Sequence, residues 1–169
     1  MTRTAVEVAI LVLLALGALG GMWLGWRRRA VRWAAVGLDL PPVPADLTPV
    51  HGPVVATYVA TTPADAPLER VATERLGVRA AAEVTVAAEG MLLRRAGAVD
   101  LYLPADRLVE VTVADGIAGT ALGRGRLVLV RWRAAGRVLQ TGVLPRHDAD
   151  RAPLTEALQR LTQTEEDPR

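Results

Sequence analysis

One uninterrupted apolar run, Ala5–Trp26 (AVEVAILVLLALGALGGMWLGW), constrains this chain more than any other feature. From Val8 to Trp26 it carries no charge, and four arginines, Arg27, Arg28, Arg29 and Arg32, follow at once. About 20 apolar residues at 1.5 Å rise match the roughly 30 Å hydrocarbon core of a bilayer. A cleaved signal peptide places its positive charge before the apolar run and small residues at a cut site after it. Here the basic cluster comes after, and Trp23 and Trp26 stand where cleavage would fall. A core or surface helix would show a polar face within five turns, and this run shows none. The expectation is one transmembrane helix.

Its flanks predict its orientation. The side richer in arginine stays in the cytoplasm, so the N-terminus is expected outside and the rest of the chain inside a bacterial plasma membrane. Trp23, Trp26 and Trp33 suit the interfacial belt, where an indole is half wet. Arg3 and Glu7, four apart, can pair on a helix at the outer interface. Gly17, Gly21 and Gly25 recur every four residues and form a stripe along which two backbones can approach, a candidate face for a homodimer through this helix, although glycine is common in membrane helices in any case. A Gly21→Ile variant is then expected to lose self-association in a membrane reporter assay; retention at the parent level removes the stripe as an interface.

Composition narrows the chemistry. The chain has no Cys, Ser, Lys, Asn or Phe, while Ala, Arg, Gly, Pro and Val are plentiful, a bias that fits a GC-rich bacterial genome. Without cysteine there is no disulfide, thiolate nucleophile or Cys metal site. Without serine there is no serine nucleophile. The net charge of +2 is unevenly placed: residues 1–33 hold five arginines against one glutamate, and the remainder holds fifteen arginines against seventeen acids. A basic anchor therefore precedes a mildly acidic domain. Nucleic acid is not expected as a partner, because phosphate binding needs local positive charge.

After the basic segment (1–33), prolines 41, 42, 44, 49 and 53 exclude a regular helix and predict a semi-stiff linker over 34–53. Residues 54–163 then read as one small, mainly β domain, followed by a polar, acidic tail, 164–169, expected to be disordered. Seven strands are predicted: Val54–Ala60, Glu83–Ala88, Met91–Arg95, Asp100–Leu103, Leu108–Ala114, Arg126–Arg133 and Arg137–Leu144. In the fifth, Val109, Val111 and Val113 are expected on one face, opposite Glu110 and Thr112. Leu154, Ala157, Leu158 and Leu161 repeat at i, i+3, i+4 and i+7 and predict a C-terminal amphipathic helix, with Asp150 as N-cap and Pro153 in the first turn. Seven short strands and one helix point to a small closed or nearly closed sheet with the helix over an open end or face.

Several words carry a family likeness: YVATT at Tyr58–Thr62, LGVR at Leu76–Arg79, DLYLP at Asp100–Pro104, DGIAG at Asp115–Gly119 and LQTG at Leu139–Gly142. With the order of elements, they make the chain resemble actinobacterial single-pass membrane proteins with a PH-like domain. The resemblance implies two curved antiparallel sheets packed nearly orthogonally and a C-terminal helix. Members of that family are labelled membrane or "transporter" proteins. One spanning helix cannot by itself line an alternating-access pathway, so a transport role implies an accessory subunit.

The candidate sites are few. The loop Asp115–Gly125 holds Gly116, Gly119, Gly123 and Gly125 but lacks the Lys and Ser/Thr of a phosphate-cradling loop, and a strand follows it. It reads as a flexible connection. His147, Asp148 and Asp150 offer metal-ligand types in four residues, yet sit where helix capping explains them. His51 is a lone linker histidine. PH domains that bind phosphoinositides use basic residues in the first hairpin loop, and the matching segment here holds Arg70, Arg75 and Arg79, offset by Asp65, Glu69 and Glu74. These arginines are the weak candidates for a headgroup or partner contact, and Glu69–Leu76 is expected as a short surface helix. Trp132, flanked by Arg131 and Arg133, reads as a core anchor, and Tyr58 and Tyr102 as core residues.

The sequence thus predicts no catalytic residues, no metal and no cofactor. It predicts a non-catalytic, membrane-anchored PH-like scaffold on the cytoplasmic face that docks a protein of unknown identity or contacts the inner leaflet. The alternatives are an accessory subunit of a transport or biosynthetic membrane complex, or an enzyme using Asp/Glu chemistry.

Overall fold

The computed structural model describes residue 8, residues 11–25 and residues 38–164. The chain divides into two units, Met1–Val36 and Gly37–Arg169.

In the first unit, residues 11–25 form a helix, α1, and every one of them is exposed. At 1.5 Å per residue its fifteen residues reach roughly 22 Å, less than a bilayer's hydrocarbon core. Among the described residues no helix is long and apolar enough to cross a membrane. The ends of the Ala5–Trp26 run lie outside the described residues.

The second unit is a seven-stranded antiparallel sheet. Its strands are β1 (Pro49–Pro63), β2 (Ala80–Ala87), β3 (Gly90–Arg95), β4 (Leu101–Pro104), β5 (Leu108–Ala114), β8 (Leu127–Ala134) and β9 (Arg137–Pro145). A separate two-stranded hairpin, β6 (Gly116–Ile117) with β7 (Thr120–Ala121), lies between β5 and β8. The sheet order is β4-β3-β2-β1-β9-β8-β5. Its two edge strands are consecutive in sequence, joined only by the turn Ala105–Arg107. The sheet therefore has to curl until its edges approach each other, which makes a nearly closed barrel. Helix α2 (Arg151–Thr164) packs on β5, β1 and β2, burying Leu154, Ala157 and Leu158. All seven predicted strands are present, as is the amphipathic helix.

Three local expectations need correction. First, β1 starts at Pro49, within the stretch expected to be linker. Register shifts on either side of His51 form bulges, and these accommodate two residues without an N–H, Pro49 and Pro53. Gly52, at φ +99°, is required there: a Cβ would stand 2.6 Å from the Val84 carbonyl oxygen. Second, β5 does not alternate as predicted. A bulge between Leu108 and Glu110 shifts the phase at its start, so Leu108 and Val111 are buried while Val109 is exposed; Val113 stays in regular register with Val111 but is exposed near the strand's end. Third, Asp115–Gly125 is an ordered hairpin. The Asp115 carboxylate accepts the Gly125 N–H at 2.7 Å, and Leu122 N–H donates to the Asp115 carbonyl at 2.8 Å. Ile117 packs with Val59, Leu127 and Leu129, directly over Gly142, where a Cβ would meet its methyl at 3.0 Å.

The prolines of residues 38–48 lie along this unit. Arg107 donates to the Asp39 carbonyl at 2.7 Å, Thr48 N–H donates to the Glu89 carboxylate at 3.0 Å, and Ala88 N–H donates to the Thr48 carbonyl at 3.0 Å. The Thr48 amide holds the Glu89 carboxyl below its ordinary value. On the outer face, Arg131 pairs with Glu110 at 2.6 Å, both about half exposed. Exposed pairs contribute little, so Glu110→Gln is expected to cost no more than about 1 kcal/mol in chemical denaturation.

Candidate functional site

The interior holds one directional chain of hydrogen bonds. Trp132, flanked by outward arginines, points fully inward and donates its indole N–H to Thr141 Oγ1 at 2.9 Å. Thr141 and Thr61 hydroxyls lie 2.8 Å apart, Thr61 and Tyr58 hydroxyls 2.7 Å, and Tyr58 donates to the Leu76 carbonyl at 2.5 Å. An indole can only donate and a carbonyl only accept, so the two ends fix every proton between them. Thr141 donates to Thr61, and Thr61 donates to Tyr58. Burial pushes the Tyr58 phenol up to about 12, against the opposing pull of Thr61 and Arg95.

That chain ends on the β1–β2 loop and pins it. Val71 and Leu76 are fully buried beneath it. The short helix expected over Glu69–Leu76 reduces to a single 3-10 turn, Thr73–Arg75, because Val71 and Leu76 are drawn inward and the backbone there bonds to Thr61. Glu74 and Arg75 both adopt positive φ, +52° and +56°, a costly conformation for side-chain-bearing residues. Their carbonyls turn toward Arg95, which sits on β3 with only 4% of its surface exposed. Its guanidinium donates to Glu74 O at 3.2 Å, Arg75 O at 3.4 Å and Val99 O at 2.6 Å, and lies 4.9 Å from the Tyr58 ring centroid. Burial pulls the Arg95 pKa down, while Tyr58, Asp100 and Glu74 oppose the shift.

Arg70, Arg75 and Arg79 are all exposed on this loop. The loop does not gather them into one anion cradle. Arg70 donates to Gly77 O at 3.2 Å and to Thr120 Oγ1 at 3.3 Å, on the β6–β7 side. Arg75 donates to Gly97 O, on the β3–β4 side. Leu68, Val78 and Val99 are exposed beside them at 77%, 58% and 65%.

The opposite end carries a groove of about 390 Å³ between α2 and the barrel. Val50 and His51 of β1, Ala88, Ala105, and Ala157 and Leu161 of α2 line it, with Arg160 also on its wall. His51 Nε2 is buried there without a hydrogen-bond partner. Sequence reasoning set His51 aside as a linker residue, because nothing local announces that β1 begins before it.

The other candidates are placed as follows. His147 precedes the turn Asp148–Asp150, where no side chain caps the N-terminus. Asp148 forms ion pairs with Arg126 at 3.3 Å and Arg151 at 3.8 Å at the entry to α2. Among the described residues no group of His, Asp and Glu is placed to hold a metal ion. In α1, Gly17, Gly21 and Gly25 meet no atom within 4 Å, and Trp23 is 56% exposed. Trp26, Arg27, Arg28, Arg29, Arg32 and Trp33 lie outside the described residues. Tyr102 is buried and donates to the Glu89 carbonyl at 2.8 Å; burial, then Glu89 and Asp106, push its phenol up.

Comparison with curated proteins gave no significant match. A family model described as bacterial PH domain-like matches residues 38–159, from the proline segment through most of α2. The match covers well over half the chain and coincides with the curled sheet and its C-terminal helix, so this protein belongs to the bacterial PH domain-like family.

Proposed function

We propose that this protein is a non-catalytic docking scaffold, held on the cytoplasmic face of a bacterial plasma membrane by a helix over Ala5–Trp26. One observation carries the docking reading. The buried titratable groups Tyr58 and Arg95 are committed to hydrogen bonds that hold the β1–β2 loop to the barrel. Among the described residues, the other charged side chains at the surface recesses are exposed ones, Glu83, Arg94 and Asp100 on the β2–β3 face and Glu74 and Arg75 beside the β3–β4 turn, while the groove against α2 is lined by His51 and Arg160 with no carboxylate; open, mixed surfaces of this kind suit recognition.

The fold also favours one docking mode over another. Strand addition needs an open edge with regular spacing. Beyond its pairing with β9, the free edge of β1 is broken by two bulges and by Pro49 and Pro53. On β5, Gln159 of α2 donates to the Val111 carbonyl at 3.0 Å and occupies that edge. The other edge strand, β4, is four residues long and ends at Pro104, too short to template a partner strand, which leaves contacts through a groove or loop patch. Anchoring raises the effective concentration of such a surface for other membrane-bound proteins.

Support for the anchor is the length and flanks of the apolar run and the exposure of apolar side chains along α1, Leu11, Leu13 and Leu14 among them, at 66–68%. Crosslinking and affinity capture of the full-length protein from native membranes is expected to recover the same protein partner reproducibly; recovery of none overturns docking. The membrane fraction is expected to retain the protein after alkaline carbonate washing, with residues 38–164 protease-sensitive only from the cytoplasmic side. Release by carbonate overturns the anchor.

A further inference from the structure

We propose that the groove between α2 and the barrel binds the alkyl chain of a single-chain anionic amphiphile, a free fatty acid, with Arg160 and His51 at its head group. The proposal stands whether or not residues 5–26 cross a membrane.

The cavity comes first. Its volume of about 390 Å³ lies near the lower end of small-molecule sites, which suits one chain better than the paired chains of a diacyl lipid. Its walls are Val50, Ala88, Ala105, Ala157 and Leu161. Three of these five are alanines, so the helix and barrel meet there without side chains large enough to fill the seam.

The choice of occupant follows from what the walls lack. A peptide would bring its own N–H and C=O groups into an apolar recess, and each left without a partner costs free energy. The backbone that would have served them is the first part of β1. Pro49 and Pro53 have no N–H to give, and the register breaks twice there. A hydrocarbon chain carries no such groups and loses nothing.

The head group follows from the charge on the walls. Arg160 is exposed at the groove, and His51 Nε2 is buried without a partner. Buried polar nitrogens are nearly always satisfied, and a carboxyl group entering the seam supplies this one. Glu89 already accepts the Thr48 N–H, Asp106 lies near enough to Tyr102 to affect its phenol, and Glu156 stands one helical turn before Arg160; the direct head-group contact therefore rests on His51 Nε2, with Arg160 adding positive charge at the rim. Together the apolar floor and the nitrogen-bearing wall match an alkyl carboxylate.

The test uses the full-length protein in phosphatidylcholine nanodiscs and a diazirine derivative of lauric acid, with labelled residues read by mass spectrometry. Label is expected on the peptides holding Val50–His51 and Ala157–Leu161, and excess lauric acid is expected to displace it. Ala105→Leu, which fills the groove from a half-exposed wall, should reduce labelling about tenfold with an unchanged thermal midpoint. Arg160→Gln should reduce it about threefold, and dodecanol should compete about tenfold less well than laurate.

Label confined to residues 5–26, or undiminished in Ala105→Leu, overturns the proposal. Equal competition by dodecanol overturns the head-group assignment and with it the anionic ligand.

Discussion

Arg95→Met is expected to lower the stability of the domain by about 2–3 kcal/mol and to open the β1–β2 loop to proteases. The substitution keeps the apolar stem and removes the guanidinium, so packing is disturbed little and the loss is of hydrogen bonds. Replacing a buried ion by an apolar residue is neutral only when its partners are removed too. Here the partners are carbonyls of Glu74, Arg75 and Val99, which stay behind. Each unsatisfied carbonyl costs about 1–3 kcal/mol if it remains buried.

The total cost is capped, because the loop can let go. Glu74 and Arg75 hold positive φ with their carbonyls bonded to Arg95, so a loop released by the substitution is expected to relieve strain of about 1–3 kcal/mol per residue. The expected signature is therefore local: faster hydrogen exchange and tryptic cleavage at Arg75, with β8 and β9 still protected. Uniform loss of protection across the sheet would show that Arg95 supports the whole barrel rather than the loop. An unchanged Arg75 cleavage rate would show that the loop is held by Tyr58 and Leu76 alone.

The same residue shows where sequence reading stops. The strands were legible because alternation and glycine turns are local signals: Val84 and Val86, or Val128 and Val130, announce a face within a few residues. The C-terminal helix was legible for the same reason. What escaped depended on distance. Arg94 and Arg95 look alike in sequence, and only β2 and β4 pairing decides that Arg95 turns inward while Arg94 stays exposed. Pro49 and Pro53 argued against a strand, since the bulges that admit them are set by β2 and not by β1's own residues. The bulge at Val109 likewise reversed a local alternation. Hairpin β6–β7 has two-residue strands, too short for any periodicity to register. The groove beside His51 draws its walls from β1, the β2–β3 and β4–β5 turns and α2, residues more than a hundred positions apart, and no motif encodes such a seam.

Thr61 and Thr141 are eighty residues apart and, as sequence, are neutral strand residues. Their joint role gives the second large effect. In the folded protein the Tyr58 phenol is raised from 10.0 to about 12. A raised folded-state value means that the native state keeps its proton where the unfolded chain has lost it. The resulting stability is complete below pH 10, declines as pH rises from 10 toward 12, and is gone above both values. Two units correspond to about 2–3 kcal/mol, so urea denaturation is expected to show a steep alkaline limb in that window. Tyr58→Phe should flatten this limb, leaving what Tyr102 and Arg95 contribute.

Thr61→Val acts on the same chain from the middle. Valine keeps the shape, but Thr141 loses the acceptor for its hydroxyl proton, and a buried donor without a partner costs about 1–3 kcal/mol. Thr61 also lowers the Tyr58 value, so its removal should push the phenol higher and move its absorbance titration to more alkaline pH. A general loosening of the core would do the reverse, because water reaching Tyr58 brings its titration back toward 10. The direction of that one shift separates a severed hydrogen-bond chain from a slackened barrel.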